Sequence, residues 1–382
     1  MSPSPGTTSA PGGLSGYAEH FVEPDGYLDF GRFGPPSADV IETTTALSTR
    51  SAHCTSRTVD ELMSHELQAR QAAARLIGTE DLDRVALLPN TSTGLFHAAL
   101  GLPGGTVLVP EREFPSNLYP WRRAAAIGRV RPVPLTPDDQ QRITPDQVRS
   151  ALTTDTVAVA VSAVDFRSGF RADLAAIKEV IGQDRLLIVD AIQGMGVADM
   201  AWTAADLLVT GGQKWLRAGW ATGFVYASEL ALERIEPVLT GWSGVQQPGL
   251  FDDLDHPAAT GAQRFSVTNL SPIAAGGLAR ALELVEHAGI DRIADHVAHR
   301  TAELIDTIRS AGGLVLSPTA EHERAGIVAF TMPRTDPAQV AKAFEAHGVT
   351  ATQRPDQLRL CAHGSTTLGT VDLVHRALRS IA

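Results

Sequence analysis

Asp190, Gln193 and Lys214 are the residues of this chain whose types and spacing point most directly to chemistry. The apolar run LLIV ends in Asp190, and Gln193 follows three residues later. A second apolar run, DLLVT, leads into GGQK, with Lys214 at its tip. A buried strand that ends in a carboxylate sets that charge at the carboxyl edge of a sheet, where open α/β folds bind ligands. A lysine at the tip of a neighbouring strand faces the same crevice. Either residue alone is an ordinary strand-end or loop charge. Together they suit pyridoxal phosphate (PLP), whose aldehyde takes a lysine amine and whose ring nitrogen needs an acid partner.

The elements around this pair must bring it together. Apolar residues recur at helical spacing over 59–77, with Leu62, Leu67, Ala72 and Leu76 on one face. RVALLPNTSTGLFHAALGL then reads as strand, turn and helix, with Asn90, Thr91, Ser92, Thr93 and Gly94 at the turn. Hydroxyls and free N–H groups at a helix start form an anion site. GGTVLVP, RVRPVPL and TVAVAVSAVDF are further strands, separated by helical stretches. Strand–helix alternation of this kind predicts an α/β fold, a mostly parallel sheet with helices on both faces. A long stretch of weak periodicity follows, GWSGVQQPGLFDDLDHPAATGAQRFSVTNLSP, and loops of that length are usually functional. Two amphipathic helices and a strand–helix–strand–helix run close the chain. His296 and His299 on one of those helices lack a third ligand nearby and read as surface histidines rather than a metal pair, so no metal is expected.

Asp190, Ala191, Gln193, Lys214, Gly219 and Gly223, with Trp215 directly after the lysine, resemble the class V aminotransferase family. These are the fold-type I PLP enzymes that include cysteine desulfurases, kynureninases and isopenicillin N epimerases. The resemblance implies a large PLP-binding domain over 59–270 and a small C-terminal α/β domain over 271–382. It also implies an N-terminal segment over 17–58 at the active-site mouth, packed with the small domain, behind a tail over 1–16. It places the PLP phosphate on Thr91 and Ser92, with Gln213 able to reach it. Phe114, in EFPSN, stands where the family stacks a ring on the cofactor, an imidazole in cysteine desulfurases. Gln193 would bond the ring oxygen. In RFSVTNLSP, Thr268 and Asn269 stand where the family contacts the phosphate of the other subunit, so a homodimer with shared sites is expected. Gly211 replaces a hydroxyl residue often found near the lysine. Arg359, in LRLCAH, resembles the arginine that clamps the substrate carboxylate, a group a guanidinium fork fits. Arg32, in the turn GRFGPP, is a further candidate to touch substrate. Arg171 reads as a structural or mouth residue.

The resemblance implies that an α-amino acid or amino-acid conjugate joins the cofactor as an external aldimine, and that Lys214 takes the Cα proton to leave a carbanion. Fold and cofactor do not select the carbanion's fate. Cysteine desulfurases need a mobile-loop cysteine, but 348–358 has none, and Cys361 lies inside a strand. A persulfide-forming desulfurase is therefore not expected. The EFPSNLYPW stretch and the desulfurase-like layout resemble the lyase side of the family, so the resemblance makes β-elimination of the C–S lyase type the first reading. Transamination with a keto-acid acceptor and epimerisation are the alternatives, and a non-catalytic ligand-binding regulator is the reading from another class. A nicotinamide dehydrogenase would need GxGxxG where this chain has PNTSTG.

Composition agrees with an enzyme. The 382 residues carry a net charge of −11 without a basic cluster, which argues against nucleic acid or an anionic membrane as partner. Two cysteines exclude a disulfide framework. The opening MSPSPGTTSAPGGLSG lacks the pattern of a secretory signal and reads as a flexible tail, so a cytoplasmic setting is expected.

Overall fold

The computed structural model describes residues 14–138 and 142–381. Most of the expected tail, 1–13, lies outside them. Leu14 and Tyr17, by contrast, are already buried in the core.

Seven strands form the main sheet: β1 (Val85–Leu87), β2 (Thr106–Pro110), β3 (Arg131–Leu135), β4 (Thr156–Ser162), β5 (Leu186–Asp190), β6 (Leu207–Gly211) and β7 (Gly223–Ala227). Their order is β1-β7-β6-β5-β4-β2-β3. Only β7 runs against the others, pairing antiparallel with both β1 and β6. Every residue of β2, β5, β6 and β7 is buried. Strands covered on both faces must be apolar throughout, which is why LLIV and LLV read as unbroken runs. Alternate residues serve opposite faces. Leu187, Val189 and Leu208 join the core under helices Thr58–Ile77, Leu174–Ile181 and Pro272–Ala288. Ile188, Leu207 and Val209 join the core under helices Thr91–Gly101 and Tyr119–Ala126.

The second sheet is antiparallel: β8 (Leu314–Val315), β9 (Ile327–Thr331), β10 (Thr352–Gln353) and β11 (Leu358–Cys361), in the order β10-β11-β9-β8. Helices Ile290–Ser310, Pro337–Ala346 and Leu368–Arg379 cover its outer face, where Leu358 and Leu360 meet Val340, Phe344 and Val374. Helix Pro272–Ala288, at the start of the expected small domain, packs instead on helices Thr58–Ile77 and Ala38–Ala52 and shares the large sheet's core. Its buried face is built from small residues, Ala275, Gly276, Gly277 and Ala279, which let those helices approach closely.

The N-terminal segment runs between the two sheets. Tyr27 bridges to Thr350 and Asp29 to Cys361, so the segment extends the small sheet. Arg217, three residues past Lys214, ties it down. Its guanidinium bonds both carboxylate oxygens of Glu23, the Pro35 carbonyl at 2.5 Å and the Ser365 hydroxyl at 3.1 Å. It also lies 3.6 Å from the Phe21 ring centroid. Arg217 is 1% exposed and has a φ of 58°, a left-handed conformation that a side chain adopts only when its surroundings enforce it. Breaking a buried pair of this kind costs about 3–5 kcal/mol, because the remaining charge stays buried.

Candidate active site

Strands β1, β2, β4, β5 and β6 point the same way, so their carboxyl ends share one edge of the sheet. Thr91 opens the helix after β1, and Phe114 lies in the turn after β2. Ser162 ends β4, Asp190 ends β5, and Lys214 follows β6. Ser162 and Asp190 are direct register partners.

Lys214 and Asp190 are both buried, 8% and 2% exposed. Burial pushes the Lys214 amine down to about 8; Arg359 and Arg354 add to the shift, and Asp190 opposes it. Burial pushes the Asp190 carboxyl up to about 6, against the Ile192 N–H, which donates to it at 3.0 Å, and the Lys214 charge. Among the described residues neither group forms an ion pair. The Lys214 Nζ lies 5.3 Å from the centroid of the Phe114 ring.

Gln193 is held from two sides. Its Nε2 donates to the Gly31 carbonyl at 2.9 Å, and its Oε1 accepts from the Trp215 indole at 2.8 Å. An amide Nε2 carries two hydrogens, so one remains beyond the Gly31 bond. The turn Gly31–Gly34 thereby sits directly on the lysine loop. The Gly34 N–H donates to the Gln213 carbonyl at 2.9 Å, and a Cβ at Gly34 would lie 1.9 Å from the Lys214 carbonyl oxygen. Only glycine permits that approach.

Arg359 is 2% exposed and points from β11 toward the large sheet. Its Nη1 donates to the Phe166 carbonyl at 2.6 Å and its Nη2 to the Thr352 hydroxyl at 3.0 Å, while Asp29 lies 3.7 Å away. Its Nε is buried without a partner. Cys361 is fully buried beneath Gly31, and burial pushes its thiol up.

The remaining expected residues divide. The Thr91 Oγ1 is buried without a partner at the start of its helix, and Ser92 bonds the Ser116 hydroxyl at 2.8 Å. Gln213 folds back so far that a Cβ at Gly211 would lie 2.5 Å from its Oε1. That side chain fills the space a hydroxyl residue at 211 would use. Arg32 is exposed. Thr268 accepts from the Trp242 indole at 3.1 Å, and among the described residues neither Thr268 nor Asn269 hydrogen-bonds to Lys214 or Asp190. Arg171 bonds the Asp199 carbonyl. His296 bonds the Thr366 carbonyl and His299 pairs with Glu303.

Three features escaped the reading of the sequence. Glu113 accepts the Ser162 N–H at 2.7 Å and the Ser162 hydroxyl at 2.6 Å, which clasps the Phe114 turn to the end of β4. Burial pushes its carboxyl up to about 7. Arg354 and Arg167 stand on either flank of the Arg359 site, each with its guanidinium carbon 5.0 Å from the Phe166 ring centroid. No local spacing marks Arg354, which lies five residues before Arg359 and reaches its face only through the pairing of Thr352 with Arg359. A separate cleft of about 440 Å³ lies by Thr144, Arg171, Met200 and His322 and contains none of the residues at the sheet edge.

These donors fit PLP. The cofactor's phosphate suits the partnerless Thr91 hydroxyl at a helix N-terminus. Its ring nitrogen suits the Asp190 carboxylate, its ring oxygen the second Gln193 hydrogen, and its aldehyde the Lys214 amine.

Comparisons with known proteins agree. The model of the family described as aminotransferase class-V matches residues 37–371. An uncharacterized aminotransferase of Bacillus subtilis is 27% identical over 301 residues, 77% of this chain and 78% of its own length. A kynureninase of Deinococcus radiodurans is 30% identical over 292 residues, 72% and 68%. A probable cysteine desulfurase of Aeropyrum pernix is 29% identical over 299 residues, 74% and 71%. Among solved structures, the cystine C–S lyase C-DES with its product cysteine persulfide superposes with a TM-score of 0.84 at 21% identity, covering 93% of this chain and 97% of that one. The cysteine desulfurase of Thermococcus onnurineus does so with a TM-score of 0.83 at 19% identity, covering 93% and 94%. These two likenesses concern the fold. This chain belongs to the class-V aminotransferase family and is a PLP-dependent enzyme.

Proposed function

We propose that this enzyme releases a β-substituent from an α-amino acid or amino-acid conjugate, as a C–S lyase does. When bound, PLP draws off the electrons left as a bond to Cα breaks. The chain's own residues do the rest. Thr91, Ser92 and Gln213 hold the phosphate, and Phe114 packs on the ring face. Asp190 holds the ring N–H, and Gln193 donates to the ring oxygen. Arg359 takes the substrate carboxylate through its remaining N–H groups. The Lys214 amine is buried beside cationic neighbours, which keeps much of it neutral near pH 8, so it can take the Cα proton at Nζ. Arg32 is the outermost of these residues and meets the substrate at the mouth.

One observation carries the choice of elimination. Cys361 is the cysteine nearest Lys214 in the chain, and it is fully buried with a raised thiol pKa. A buried thiol with a raised pKa carries little thiolate and is a poor sulfur acceptor. Elimination needs no acceptor thiol. The fold likeness to a cystine C–S lyase supports the same reading. Transamination is the second reading, favoured by the Bacillus relative's name. Incubating the PLP-loaded enzyme with cysteine S-conjugates separates them. Pyruvate and ammonia should form with no keto acid added, whereas a strict keto-acid requirement would overturn elimination.

We further propose a homodimer in which Asn269 of each copy reaches the other copy's phosphate site. Trp242, Leu250, Phe251, Leu254 and Val267 are 52%, 49%, 88%, 72% and 48% exposed along the preceding segment. Clustered exposed apolar side chains mark protein contacts. Light scattering should give twice 40.5 kDa. A monomeric mass would remove Asn269 from the site.

A further inference from the structure

Two guanidiniums beside the Arg359 site bind nothing in the chemistry above, although the Arg354 charge helps to lower the Lys214 pKa. Arg354 stands at the hairpin between β10 and β11, its N–H donated to the Gln357 carbonyl at 2.8 Å. Thr352 is the register partner of Arg359. Side chains alternate along a strand, so Thr352, Arg354 and Arg359 share one face, opposite Leu358 and Leu360 in the small core. Arg167 comes from the large domain, in the turn after β4, with its backbone N–H held by Asp165 at 2.9 Å.

Phe166 is the platform they share. Arg354 and Arg167 both place their guanidinium carbons over its ring, and Arg359 bonds its carbonyl. Its ring meets Phe114 edge-to-face at 5.3 Å, and Phe114 lies beneath the Lys214 Nζ. Stacking occupies the face of a guanidinium and leaves its N–H edge for a second partner. Among the described residues neither Arg354 nor Arg167 forms an ion pair, and the Arg354 Nε is buried with no partner. One oxygen of the nearby acid is already committed. The Asp165 Oδ1 accepts from the Arg167 and Ser168 N–H groups and from the Ser168 hydroxyl. Burial and the Arg359 and Arg167 charges push the Arg354 pKa down against the opposing Asp165 charge, as expected where like charges outnumber the acid beside them. Other half-buried arginines of this chain, such as Arg142 and Arg280, are paired with Glu323 and Asp39.

We propose that Arg354 and Arg167 form a second anion site, which receives an acid group at the end of the substrate's side chain while Arg359 holds its α-carboxylate. The substrate class is then an α-amino acid with an acidic side-chain terminus. This rests on the amino-acid reading of the Lys214 site given above.

The test uses binding as well as turnover. Glutarate, which has no amine to react, and its half-amide are titrated calorimetrically into the PLP-loaded enzyme. Glutarate should bind about ten- to a hundredfold more tightly, the range of a charge-assisted hydrogen-bonded contact. Arg354→Gln and Arg167→Gln should each bring glutarate down toward its half-amide. The half-amide's own affinity should stay within about twofold, which also reports an intact fold. Equal affinities in the unmodified enzyme, or variants that keep the full preference, would overturn the second anion site. S-Carboxymethylcysteine against S-carbamoylmethylcysteine then gives the same comparison in turnover. Should neither conjugate react while glutarate keeps its preference, the elimination reading fails and the anion site stands.

Discussion

Replacing Lys214 by alanine should lower turnover by about a thousandfold or more, since it removes both the covalent anchor and the base. The absorbance band at about 410–430 nm expected of a lysine-linked PLP should disappear or shift in the same variant. The fold should survive. Lys214 is buried, but its amine makes no ion pair among the described residues, and the loop is held by the Arg217, Gly34 and Trp215 contacts. Uptake of PLP should also depend on pH in a defined sense. Only the neutral amine reacts with an aldehyde. With its pKa lowered to about 8, the neutral fraction grows as pH rises toward 8 and levels off above it. The uptake rate should follow that curve. Activity within tenfold of the unmodified enzyme, with the band retained, would show that the anchoring lysine lies elsewhere.

The parts of this site that were legible in the sequence are those written by buried strands. A parallel strand covered on both faces must be apolar to its end, so Asp190 straight after LLIV and the GGQK turn straight after LLVT mark the carboxyl edge. That rule located Asp190 and Lys214, and the same turn logic located Thr91. Helical periodicity over 59–77 likewise matches helix Thr58–Ile77. What was not legible depends on contacts between distant segments. Gln193 meets Gly31 across 162 positions, and Arg217 meets Glu23 across 194. No local pattern encodes either pairing, because each needs the N-terminal segment folded between the two sheets. Glu113 was passed over for a related reason. Nothing local marks its role, because the Ser162 donors meet it only once β4 is in place.

Distance also separates the N-terminal turn from what it does. Gly31 and Gly34 read as an ordinary turn, yet they are where the first segment touches Gln193, Arg359 and the lysine loop. The site is thus assembled from both sheets and the segment between them. Anything that loosens the Arg217–Glu23 tie would act on the orientation of Gln193 and on access to Arg359 together. The chain places a buried ion pair there, on the loop that carries Lys214.

Asp190→Asn should lower turnover by about a hundred- to a thousandfold, the loss typical of one pre-oriented electrostatic partner. The substitution keeps the shape of the side chain, and its amide oxygen can still accept the Ile192 N–H that now lies 3.0 Å from the carboxylate. The fold and the lysine link should therefore persist, and the visible-edge band should remain. What is lost is the negative charge that keeps the ring nitrogen protonated. In the cofactor-free chain burial raises the Asp190 carboxyl to about 6, so the charge is present above that pH and lost as pH falls through it. A protonated ring nitrogen beside it would pull that value down again, because opposite charges favour each other's ionised forms. PLP affinity should accordingly weaken as pH falls below about 6 in the unmodified enzyme and be flat over that range in Asp190→Asn. Loss of the band in Asp190→Asn would make Asp190 a structural strand-end residue, and unchanged turnover would remove it from the chemistry altogether.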